Sequence, residues 1–181
     1  MHLALRDVHY EYALELMHSA ESMGMQLLNS NDFETILFQL RTARDHGRFA
    51  VRDGGRYEKD EQFSLFINML AGNVKAVLSM LNLKQSVEAE DGFFFSFLEI
   101  NHASVALQAE EYERRARDII RSLHSTLELA NQSYTELKEA NRKAFSKFER
   151  ERYDKAVAHG VEHCKARKGA ENYKRGSTLF R

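Results

Sequence analysis

Residues 63–81 read FSLFINMLAGNVKAVLSML, and this stretch decides the fold. Phe63, Phe66, Ile67, Leu70, Val74, Val77, Leu78 and Leu81 recur at i, i+3, i+4, i+7 spacing. That period predicts an amphipathic helix with a continuous apolar face, and makes it the central helix of a core. Gly72 interrupts it at a cost of about 0.8–1 kcal/mol relative to alanine, which predicts either a kink or the close approach of another helix there. The window from Phe63 to Leu83 has the length of a membrane span, but Asn68, Asn73, Lys75 and Asn82 break its apolar character. It therefore reads as a core helix, with no membrane expected.

Working outward, a helical stripe upstream carries Tyr10, Ala13, Leu14, Met17, Ala20, Gly24, Leu27 and Leu28, predicting a first helix over residues 5–28. Asn29-Ser30-Asn31-Asp32 ends it, and Phe33, Ile36, Leu37 and Leu40 begin a second helix that stops by Gly54-Gly55. Downstream, Ser86 to Gly92 is acidic and turn-like. From about residue 96 no strong breaker occurs before Gly160, which predicts one very long helix rich in Ala, Glu, Arg, Lys and Leu. Its apolar seam runs through Leu98, His102, Val105, Ala109, Ala116 and Leu123, then Leu127, Ala130, Tyr134, Leu137, Asn141, Ala144 and Phe148. The column moves by one residue at Ile119/Ile120, as a four-residue stutter does.

The 181-residue chain contains no proline, so few long helices joined by glycine or polar turns are expected. The predicted fold is all-α: three N-terminal helices packed on a very long, coiled-coil-like C-terminal helix. Residues 1–158 form the bundle and residues 159–181 a basic tail. The seam is longer than the three shorter helices can cover, which points to homo-oligomerisation through the long helix or to a partner helix. A single cysteine, Cys164, excludes an internal disulfide framework, and the N-terminal MHLALRDVHYEY has no signal-peptide pattern, so a cytoplasmic setting is expected.

Motifs for chemistry are weak. Glu15/His18 and Glu99/His102 match the E-x-x-H spacing of carboxylate-bridged di-metal bundles. With 19 glutamates and 8 histidines in the chain, such pairs arise by chance. On the helical wheel Glu15 lies opposite its stripe and faces solvent, which leaves no second inward pair. His159 and His163 match H-x-x-E-H, but no third ligand or cleft is evident. Gly54-Gly55 is an isolated pair and no phosphate loop. No catalytic residue, metal ligand or cofactor is assigned.

The informative feature is charge. Residues 1–141 hold 14 Lys/Arg against 22 Asp/Glu, whereas residues 142–181 hold 12 against 5. An acidic body thus ends in a basic segment, whose last part (Lys165, Arg167, Lys168, Tyr173, Lys174, Arg175, Phe180) reads as a linear docking element. Phe93, Phe94 and Phe95 cannot all point one way and form a second candidate contact. The expected function is a non-enzymatic interaction or regulatory protein that docks on an acidic protein surface through its last helix and tail. Nucleic acid is the second reading, disfavoured because the acidic body repels a polyanion. A metal-dependent helical-bundle enzyme is a distant third.

Overall fold

Phe63, Ile67, Leu70, Val74, Val77 and Leu81 are all buried, as their spacing requires. The structure, a computed structural model, describes residues 1–22, 30–52, 57–94 and 102–178, and side chains over 1–19, 30–52, 59–89 and 104–168. Among these residues the chain forms five α-helices: α1 (His2–Ser22), α2 (Ser30–Arg52), α3 (Tyr57–Phe94), α4 (His102–Ala144) and α5 (Lys147–Thr178). The protein is an all-α helical bundle.

The first four helices pack antiparallel to their chain neighbours. α1 and α2 meet at His9 with Gln39 and at His2 with His46. α2 and α3 meet at Arg44 with Asn68 and at Ser30 with Gln85. Lys59 with Glu136 and Lys84 with Glu113 hold α3 and α4 together at widely separated points. One apolar core joins all four, with Tyr10 and Ala13 of α1, Ile36 and Leu40 of α2, the inner seam of α3, and Leu123, Leu127, Ala130 and Leu137 of α4. At 38 and 43 residues, α3 and α4 outrun the 21 and 23 of α1 and α2, so their antiparallel pair projects past the shorter helices.

The single helix expected from residue 96 to Gly160 is instead two. α4 ends at Ala144, Phe145 and Ser146 leave helical geometry, and α5 starts at Lys147. The cause is a capping box. Ser146 N–H donates to Glu149 Oε2 at 2.8 Å, while Glu149 N–H donates to Ser146 Oγ at 3.3 Å. The turn also explains why Ala144 and Phe148, placed on the apolar seam by spacing, are exposed, Phe148 at 73%. Residues 96–101, the expected start of that helix, lie outside the described residues.

α5 turns back to run parallel to α1. Val8 and Tyr12 of α1 and Tyr153, Val157 and Val161 of α5 form a second, smaller apolar cluster. Gly160 does not stop α5 but lets it approach. A Cβ there would lie 2.9 Å from Val8 Cγ1 and closer still to Cγ2, so only glycine fits at this separation. Gly72 behaves differently: α3 continues through it, and a Cβ there would meet nothing within 4 Å. Of the kink or close approach expected at Gly72, no close approach occurs among the described residues.

Two further readings change. Ser86 to Gly92 is helical, as part of α3, where Lys84 pairs with Glu88 one turn on. α1 begins at His2, ahead of the expected Leu5, and buries Arg6, Asp7 and Val8 in its first turns. Gly24, Leu27, Leu28 and Gly54-Gly55 fall outside the described residues.

Candidate interaction site

The basic C-terminal segment is built on α5, which is continuous through residue 159, where the sequence reading begins a tail. Its inner stripe, Tyr153, Val157 and Val161, is buried on α1. Its outer stripe, Phe148, Arg152, Lys155, His159 and His163, recurs at i, i+4, i+7, i+11 and i+15 and is exposed throughout. The helix is thus a two-faced element, apolar toward α1 and basic toward solvent.

Two of the residues assigned to docking turn toward the body. Lys165 Nζ lies 2.8 Å from Glu15 of α1 and 2.9 Å from Glu162, and these bonds raise its pKa above the ordinary lysine value. Lys168 Nζ donates to Asp32 of α2 at 2.7 Å. The acidic body and basic end therefore meet inside one chain, in pairs at or near the surface that each contribute little stability. Arg167 is exposed. Tyr173, Lys174 and Arg175 belong to α5, and Phe93 and Phe94 end α3, but their side chains, with Phe95 and Phe180, lie outside the described residues.

The root of α5 is fixed by a buried polar network that sequence reading missed. Arg6 Nε donates to Asp7 Oδ1 and Arg6 Nη1 to Asp60 Oδ1 of α3, both at 2.7 Å, with all three side chains at 2% exposure or less. Tyr153 of α5 donates its hydroxyl to the other Asp7 oxygen. The Arg6 guanidinium also sits over the Phe63 ring, 5.6 Å from its centroid. Alongside, Tyr10 OH donates to Asn131 at 2.9 Å, and Tyr134 OH donates to Glu11 at 2.6 Å, where Lys138 also binds. Burial raises Asp7 to about 6 against the pull of Arg6, and burial likewise pushes Tyr10 and Tyr134 well above the ordinary tyrosine range. A raised carboxyl beside an arginine and a tyrosine is a catalytic kind of grouping. Asp7 is fully enclosed, however, so no substrate atom can reach it, and the network is a joint between helices.

A sequence signal for this joint existed: Arg6-Asp7 stands on the bundle-facing side of α1. It was obscured because the Tyr10-to-Met17 stripe places the core on one side of the helix, while α5 covers a second side at Val8 and Tyr12.

Beside this joint, where α1 meets α2, His2 Nδ1 lies 3.1 Å from His46 Nδ1, His9 stacks on His46, and His2 packs on Phe49. Burial first, then His9 and His2, lower the His46 pKa. Among the described residues no group of three or more His, Cys, Asp or Glu side chains is arranged to hold a metal ion. Glu15 is exposed and paired with Lys165, and His18 is exposed; His159 and His163 both face solvent. The side chains of Glu99 and His102 lie outside the described residues. Burial raises the Cys164 thiol, which disfavours the reactive thiolate.

Comparison with known protein families, characterised proteins and solved structures finds no match to this chain.

Proposed function

We propose that this protein is a non-enzymatic, cytoplasmic interaction protein whose acidic bundle holds out α5 as a docking helix for an acidic protein surface. The observation that carries this reading is the outer stripe of α5. Arg152, Lys155, His159 and His163 stand exposed in one row behind Phe148, on a helix whose opposite face is locked to α1. A preformed helix loses little conformational freedom on binding, and its exposed phenylalanine supplies an apolar anchor inside a charged contact. The positives border Glu151 and Glu162, so the row attracts a local acidic patch more than an extended polyanion. The expected partner is a protein, with nucleic acid the competing reading.

The test is charge reversal at Arg152 and Lys155, which face solvent and leave the α1 contact intact. The wild-type protein should capture a defined protein partner with an affinity that falls with salt, and Arg152→Glu/Lys155→Glu should lose it while keeping the wild-type melting temperature. Tight binding of random duplex or single-stranded nucleic acid at physiological salt would overturn the reading.

A further inference from the structure

α3 carries two seams. The inner one, Phe63, Ile67, Leu70, Val74, Val77 and Leu81, alternates steps of four and three and fills the core. Displaced by two residues, the same alternation recurs outward as Leu65, Met69, Gly72, Ala76, Ser79 and Leu83. Its large members are open to solvent: Leu65 at 57%, Met69 at 45% and Leu83 at 42%. A surface helix is normally polar on its far side, and this one is apolar on both.

We infer that the outer seam of α3 is a self-association surface that packs against α3 of a second copy of this chain. Three observations select that occupant. Gly72 destabilises a helix interior relative to alanine, and no described residue comes within 4 Å of where its Cβ would be. Unpartnered among the described residues, the missing Cβ suits a backbone arriving from outside. The seam is also complementary to itself. An antiparallel two-fold centred on Val74 sets Gly72 on Ala76, Met69 on Ser79, and Leu65 on Leu83, small against small at the crossing and large residues beyond it. That is the requirement of an isologous contact, in which one patch meets its own copy. Finally, the flanks are Asn68, Asn73 and Asn82, with Lys75 the one charge bordering the middle of the seam. The face thus lacks the charge pattern that would choose a different protein.

Size and charge set the strength. Leu65 to Leu83 spans about 27 Å along a helix about 10 Å across, a footprint of a few hundred Å² against about 800 Å² per partner in a standard interface. The contact is weak and reversible, and the two-fold brings Lys75 near its own copy. Raising the salt concentration strengthens it, opposite to the docking expected of α5.

By length and composition, residues Lys59–Ala89 would also suffice to cross a membrane. Crossing would strip the inner seam from α4, and binding of the outer seam to a membrane surface is the competing outcome.

The experiment is sedimentation velocity on the full chain from micromolar to millimolar concentration, with vesicle flotation on zwitterionic and anionic liposomes. Wild type should show a monomer–dimer equilibrium. Gly72→Leu should weaken it at least tenfold with helix content and melting temperature undiminished, since that side chain enters open space. Leu65→Gln should weaken it, and Lys75→Ala should tighten it several-fold at low salt. A chain that stays monomeric throughout, a dimer indifferent to Gly72→Leu, or vesicle binding through Leu65 and Leu83 without dimerisation would each overturn the inference.

Discussion

Gly160 and Gly72 both stand inside long helices, and both come at the same conformational cost. At Gly160 the return is visible within the chain: α5 settles on Val8 at a distance no other residue permits, and Val157, Val161 and Tyr153 close around the contact. At Gly72 the same gap opens onto solvent, amid an exposed apolar seam that repeats the spacing of the buried one. The difference teaches how to separate a glycine that has found its partner from one that has not. The α1–α5 joint also carries a buried ionic network, whereas the middle of the outer seam of α3 is bordered by one charge, the exposed Lys75. The first is built to hold one arrangement, and the second to meet a surface and leave it.

The comparison breaks most severely at Arg6. If the α1–α5 joint is held by the buried network, Arg6→Met takes from Asp7 and Asp60 the buried guanidinium that both bind, an expected loss of about 3–5 kcal/mol in chemical denaturation. The dimerisation surface on α3 lies on the far side of the helix from Asp60, so any residual folded protein should associate as before. A loss below about 1 kcal/mol would show that the network is incidental to the joint.

Acidity probes the same joint more gently. Asp7 titrates at about 6 in the folded protein against 3.8 in the unfolded chain, so between those values the folded state binds the extra proton. Its contribution is fully present below pH 4 and is lost as the pH rises through 6, on the order of 3 kcal/mol in all. Glu113, drawn below its ordinary value by Lys84 and then Arg117, acts in the opposite sense and loses stability as the pH falls. The informative quantity is therefore the difference between wild type and Asp7→Asn, which should change across pH 4–6 and be flat from pH 6.5 to 8. A difference independent of pH over the whole range would sink the assignment.

Helix class, the inner seam of α3 and the core positions of α4 from Ala109 to Asn141 were legible because burial on one side imposes a strict period. The break at Ser146 was equally present in the letters, as S-K-F-E, but a lone serine in an alanine- and charge-rich run does not stand out as a stop the way the Asn29-Ser30-Asn31-Asp32 cluster does. Arg6 and Asp7 stand on the bundle-facing side of α1, but their full burial, with that of Val8, depends on α3 and on α5 returning from about 150 residues away in sequence, which no local pattern encodes. The basic end was legible as composition; that Lys165 and Lys168 would spend their charge on Glu15 and Asp32 required the fold.

The smallest effect discriminates the two glycines most directly, because one substitution has opposite signs at the two sites. Gly160→Ala forces a Cβ into the Val8 methyls, and two packed helices cannot part without opening the cluster around Tyr153 and Val157. Overpacking of this kind costs about 1–3 kcal/mol. Gly72→Ala adds a Cβ to empty space and restores helix propensity, so the monomer should gain about 0.5–1 kcal/mol. Urea denaturation at low protein concentration, where the dimer is absent, reads both. A Gly72→Ala variant less stable than wild type under those conditions would mean that the space beside Gly72 is occupied within a single chain, and the contrast between the two faces would fail.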